Sequence, residues 1–129
     1  MSKGLKAMVI LTAVIIASVS FLSSSQKKAR DAKRRGDLKA VQNNFEQYYM
    51  ENFVYPEVCT SGETVVLGQQ SFRIPFDPHN LGDYQYQGSC SPTGYCLCAK
   101  LETGKGGNSQ DINCTFASNG GYFCVENLQ

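Results

Sequence analysis

The chain has 129 residues, room for one domain plus an anchor. Its single histidine, His79, excludes a multi-histidine metal site within the chain, and in a turn-rich stretch it reads as a solvated loop residue rather than a catalytic base. Net charge is only +1, but it is split: residues 1–35 carry eight Lys/Arg against Asp31, whereas residues 36–129 carry four against ten Asp/Glu. The N-terminal part is therefore +7 and the remainder −6.

From Ala7 to Leu22 the chain is apolar apart from Thr12, Ser18 and Ser20. With Ser23–Ser25 added, this stretch gives roughly 28 Å of helix, enough to cross a hydrocarbon core. Residues 5–25 are thus read as a transmembrane helix. The rival is a cleavable signal peptide, with Met1–Lys6 as basic region and Ser18 and Ser20 near the cut. The length of the apolar run and the basic cluster after it favour an anchor.

No proline precedes Pro56, so the helix can run on through residues 26–54 as a stalk. Between Lys27 and Gly36 nearly every face is charged, and such a stretch is expected to pack on nothing in its own chain. From there Leu38, Val41, Phe45 and Tyr48 recur at spacings of 3, 4 and 3, one helix face, and are expected to dock on the head. Gly36 at the transition permits a bend, and the residue before Pro56 ends the rod. The basic neck suits anionic lipid, the acidic face of a neighbouring copy, or plain solvation. Lys27–Arg35 lacks interleaved aromatics, which makes nucleic acid the weaker candidate partner.

Residues 55–129 read as a small head of short strands and turns. Glu63–Leu67 is a candidate strand, and Asp77–Gly82 is dense in turn formers. Tyr84–Gln87 and Tyr95–Leu101 are expected to pair as a hairpin across Gly88–Gly94. Thr103–Ser109 reads as a flexible loop. Ile112–Ala117 and Tyr122–Asn127 flank Ser118-Asn119-Gly120-Gly121, a hairpin signal.

All six cysteines lie in the head: Cys59, Cys90, Cys96, Cys98, Cys114 and Cys124. An even count in a small head behind a membrane segment reads as a disulfide framework in an oxidising space. If Ser118–Gly120 is a three-residue loop, Cys114 opposes Cys124 and the two should bridge. Cys96 and Cys98 are too close in sequence to join each other, which leaves Cys59 and Cys90 to pair with them in an undecided order. Six basic residues just past the apolar segment would by charge keep the head in the cytoplasm. The cysteines argue for the opposite side and take precedence.

The stretch ARDAKRRGDLKAVQNNFEQYYMENFVYP, residues 29–56, resembles the stalk of the type IV pilin and type II secretion pseudopilin family. PFDPHNLGDYQYQ followed by YCLCAKLE, within residues 75–102, resembles the major-pseudopilin core. The resemblance implies an α+β fold, one long N-terminal helix laid on a small antiparallel sheet. It implies a structural subunit with no enzymatic activity. Asp111 falls in the region where major pseudopilins bind calcium, but no cluster of carboxylates accompanies it and Cys96–Cys98 lacks zinc-site spacing, so no metal or cofactor is expected. Its partners would be copies of itself or related pilin subunits, membrane lipid and the assembly machinery. The head would lie outside the cytoplasm, in the membrane or in an extracellular filament. It also implies a short leader, residues 1–4, cut between Gly4 and Leu5. The chain departs from the family where Lys6 stands second after that cut and Val9 stands at the usual glutamate position. That departure suits a minor or tip subunit. The alternative is a single-pass anchored or secreted disulfide-rich binding domain on the same scaffold.

Overall fold

The computed structural model describes residues 2–129, and its fold is α+β. Helix α1 spans Lys3–Asn52 without interruption, Gly36 included. Ser2 caps its start, its hydroxyl accepting from the Leu5 N–H at 3.3 Å. Phe53 ends it in a left-handed conformation, φ 59°, with its N–H donating to the Tyr49 carbonyl. Pro56 lies just beyond and cannot extend the ladder.

Strands β1 (Thr64–Leu67) and β2 (Gln70–Arg73) form a separate antiparallel pair. After a single 3-10 turn at Gly82–Tyr84 come β3 (Gln87–Ser91), β4 (Gly94–Lys100), β5 (Gly107–Ser109), β6 (Phe116–Gly120) and β7 (Tyr122–Glu126). They form one antiparallel sheet in the order β3-β4-β7-β5-β6.

Leu38, Val41 and Phe45 on α1 are fully buried. They form one core with Tyr95, Leu97 and Ala99 of β4, Val125 of β7 and Val65 and Leu67 of β1. Tyr48 packs at its margin. The Phe45 and Tyr95 rings meet edge to face, with centroids 5.0 Å apart. Glu46, next to Phe45, accepts hydrogen bonds from the Tyr55 and Tyr95 hydroxyls at 3.0 and 2.9 Å, and from the Leu128 N–H at 2.9 Å. The tail of the chain is thereby tied to the helix.

Three sequence expectations require correction. First, the β3–β4 hairpin is tighter than expected: Ser91 pairs with Gly94, so Gly88–Ser91 is strand rather than loop, and Tyr84 lies in the 3-10 turn. Second, the expected flexible loop 103–109 supplies β5, which takes the place between β6 and β7. Gly107 pairs with Gly120, and a Cβ on either would collide with the facing backbone, so only glycine allows this close approach. The Asn108 side chain acts like a peptide group, donating to the Cys124 carbonyl at 2.9 Å and accepting from its N–H at 2.7 Å.

Third, that insertion overturns the expected Cys114–Cys124 bridge. β6 never pairs with β7, so Cys114 has no place opposite Cys124. Instead β4 pairs with β7 and sets Cys98 directly against Cys124, with Cα atoms 4.1 Å apart, and these two are joined. Cys96, two residues before Cys98 on the same strand face, is joined to Cys114. Cys59 and Cys90 therefore join each other rather than Cys96 and Cys98. The Cys59 bridge links the segment just after the helix to β3.

Two outcomes follow from this packing. Phe45→Ala should destabilise the head by about 3–5 kcal/mol, since it empties a fully buried ring site; thermal unfolding of the detergent-solubilised chain measures it. Peptide mapping under non-reducing conditions should yield Cys59–Cys90, Cys96–Cys114 and Cys98–Cys124, and a Cys114–Cys124 peptide would contradict the strand order.

Candidate functional site

Two surfaces meet along α1. The first is the apolar segment. Leu5, Met8, Ile10, Leu11, Ile16 and Phe21 are all exposed, and an 18-residue window here has mean hydropathy 2.3 with none of it buried. The helix is long and apolar enough to cross a membrane. Gly4 and Leu5, the expected processing point, lie in its first turns and are exposed.

The second surface begins at residue 30, and here the structure corrects the expectation that Lys27–Gly36 packs on nothing. Asp31 and Arg34 are as buried as the core, at 1% and 0% exposure. They continue the docking stripe: Asp31, Arg34, Leu38, Val41 and Phe45 succeed one another at spacings of 3, 4, 3 and 4. One face of the helix therefore changes from polar to apolar contact without turning away from the head.

Arg34 holds the centre. Its Nε and Nη2 donate to the two oxygens of Asp77 at 2.6 and 2.9 Å, a bidentate pair. Its Nη1 donates to Asp31 at 2.9 Å and to Glu102 at 2.7 Å. The Tyr84 ring lies 5.1 Å from the guanidinium carbon. Glu102 also receives two bonds from Arg30, at 2.6 and 2.8 Å. Two guanidiniums thus face three carboxylates. The surplus negative charge is met by backbone and hydroxyl donors. Asp31 accepts from the Glu102 and Thr103 N–H groups and the Thr103 hydroxyl. Asp77 accepts from the N–H groups of His79 and Asn80.

The paired charges move the titrations apart. The Arg30 hydrogen bonds, with those of Arg34, bring the Glu102 carboxyl down to about 2. Burial opposes ionisation of Asp31, but its backbone, hydroxyl and Arg34 donors outweigh that and hold it below the usual carboxylate range. Burial likewise works against the Arg34 charge, yet its carboxylate partners raise it further. Beside the cluster, burial and the hydrogen bond to Asp37 push the Tyr86 hydroxyl well up; that bond is 2.7 Å long.

Asp77 sits in the turn-former run expected from sequence, but its role as counterion to a helix 43 residues earlier has no local signal. Asp31 and Arg34 could have been found by extending the apolar stripe backward through polar residues. His79 is exposed, with its ring edge-on to Tyr84 at 5.4 Å. The sulfurs of Cys96, Cys98 and Cys114 lie within 4.8 Å of one another, as in a metal site, but all three belong to disulfides and offer no thiolate. The three bridges point to an oxidising environment for the head.

No family model, curated protein or solved structure matches this chain.

Arg34→Met leaves Asp31 and Asp77 buried without their cation. It should cost about 3–5 kcal/mol at neutral pH. The pH dependence is specific in sign. Asp31 and Glu102 ionise more readily folded than unfolded. Their stabilisation is complete above the unfolded carboxyl value near 4.5 and drains as pH falls toward the folded Glu102 value of about 2. The wild-type melting temperature should fall across that window. The deficit of Arg34→Met should shrink there, because its orphaned carboxyls can protonate. Thermal unfolding at a series of pH values measures both.

Proposed function

We propose that this chain is a structural subunit of a type IV pilus or type II secretion-like filament, assembling through its apolar N-terminal helix. The observation that carries this reading is the exposure of the whole apolar segment beside a firmly docked stalk. About 27 Å of apolar rod, Leu5–Leu22, has no cover in its own chain. It needs lipid before assembly and other helices afterwards. Burial at about 25 cal/mol per Å² of apolar surface is a sufficient driving force. The rigid junction at Arg34 lets the head follow the rod as one body. The resemblance of residues 29–56 and 75–102 to pilins and pseudopilins supports the same reading. Those are the two stretches that the Arg34 cluster ties together.

A second reading has its own observation. No carboxylate stands in the apolar segment, so no charge pairing can register one copy's helix against the next. On that reading the chain is a single-pass anchored binding domain that does not polymerise.

N-terminal sequencing of the mature protein separates the readings. A start at Leu5 supports the filament subunit, Met1 or Ser2 the anchored domain, and a start near Phe21–Gln26 a secreted head. On intact cells, after mild reduction, a thiol reagent that cannot cross membranes should label the head. Labelling only after lysis would place the head in the cytoplasm.

A further inference from the structure

We propose that the notch between the helix and the head, lined by Ser23, Ser24, Lys27, Lys28 and Lys105, binds the phosphate headgroup of an anionic phospholipid. The inference rests on the membrane-anchored reading and goes beyond it by naming a site and a ligand class.

The notch has a volume of about 730 Å³, with Val19 and Ser20 at its upper edge and Glu102 and Thr103 on its head side. Its depth is set by the helix. Lys27 and Lys28 lie about 8–9 Å along the axis beyond Leu22, which is the headgroup layer if Leu5–Leu22 fills the hydrocarbon. The head approaches the rod at the same level, through the loop after β4. A lipid phosphate in this layer would meet lysines from both sides.

Lys105 is held in place rather than left on a loose loop. The residues either side of it, Gly104 and Gly106, adopt left-handed φ values of 69° and 78°. The Lys105 carbonyl oxygen lies 3.1 Å from the Thr103 hydroxyl, whose proton is shared with the nearer Asp31 carboxylate. Arg35 donates to the Gly106 carbonyl at 3.0 Å, and the Gly106 N–H donates to Asn119 at 2.8 Å. The backbone is pinned to the stalk while the ammonium stays exposed.

The charge in the notch is available. Among the described residues, the acidic wall, Glu102, is taken up by Arg30 and Arg34, and Lys33 is paired with Asp37. Among those residues Lys27, Lys28 and Lys105 enter no ion pair. Three lysines without a counterion thus line the notch, and the Ser23 and Ser24 hydroxyls beside them can donate to phosphate oxygens. The acidic surface of a second copy could also neutralise lysines, but these three lie at bilayer depth, where lipid phosphate is the nearest anion.

The test uses the full chain in vesicles of equal parts phosphatidylcholine and phosphatidylglycerol, followed by gentle extraction and mass spectrometry of the retained lipid. Wild type should retain phosphatidylglycerol in excess. Lys105→Gln should lower that excess roughly fivefold, and adding Lys27→Gln and Lys28→Gln should remove it. Lys3→Gln with Lys6→Gln, at the other end of the helix, should leave it unchanged. Equal retention by wild type and the triple variant would overturn the inference. So would an unaltered excess in Lys105→Gln, displacement of the lipid by inorganic phosphate, or a loss of cross-linking between copies with lipid retention unchanged. Unfolding temperatures equal to wild type show that the variants are folded. Flotation with pure phosphatidylcholine vesicles tests the anchored reading separately. A chain that fails to float refutes both; a chain that floats without lipid preference refutes only the headgroup site.

Discussion

Arg34 has no access to water, and three carboxylates from three separate parts of the chain close around it. Asp31 comes from the same helix, Asp77 from the loop after β2, and Glu102 from the loop after β4. A buried guanidinium is costly unless every donor is met. Here it is met only when both loops lie on the helix in one arrangement. The cluster therefore contributes position more than net stability. It sets where the head begins along the rod, and so how far the apolar segment stands clear of it.

Below that junction the core is conventional, with Leu38, Val41 and Phe45 against the inner face of β4 and β7. Among the described residues, the outer face of the same strands carries no second hydrophobic cluster. Cys96–Cys114 and Cys98–Cys124 stand there instead, covered by the segment around Asp111, whose carbonyl oxygen lies 3.3 Å from the Cys124 sulfur. A head of about 75 residues buries little apolar surface, and cross-links make up for the missing layer. The third bridge, Cys59–Cys90, closes the chain end of the helix onto the sheet edge.

The junction and the apolar rod act on the same problem from two sides. One helix presents exposed apolar side chains over its first half and a buried face to the head over its second. The change happens within about three turns, from Phe21 and Leu22, both exposed, to Asp31, fully enclosed. Lys27 and Lys28 fall in the interval and are exposed.

The sequence by itself determined the helix, its apolar first half and the docking face, because each is written in local periodicity: an apolar run of membrane length, then Leu38, Val41 and Phe45 at helical spacing. It also determined that cysteines would be concentrated in the head. It did not determine how they pair. The turn residues after Ala117 suit a β6–β7 hairpin, and only the arrival of β5, in a glycine-rich stretch with no strand signal, denied β6 that partner and turned Cys124 toward Cys98. The start of the docking surface was hidden for a related reason. Hydrophobic patterning does not register a buried charge, and the carboxylates that make Arg34's burial possible are distant in sequence. Strand order and ion pairing both depend on which segments meet, and that is decided by the tertiary structure alone.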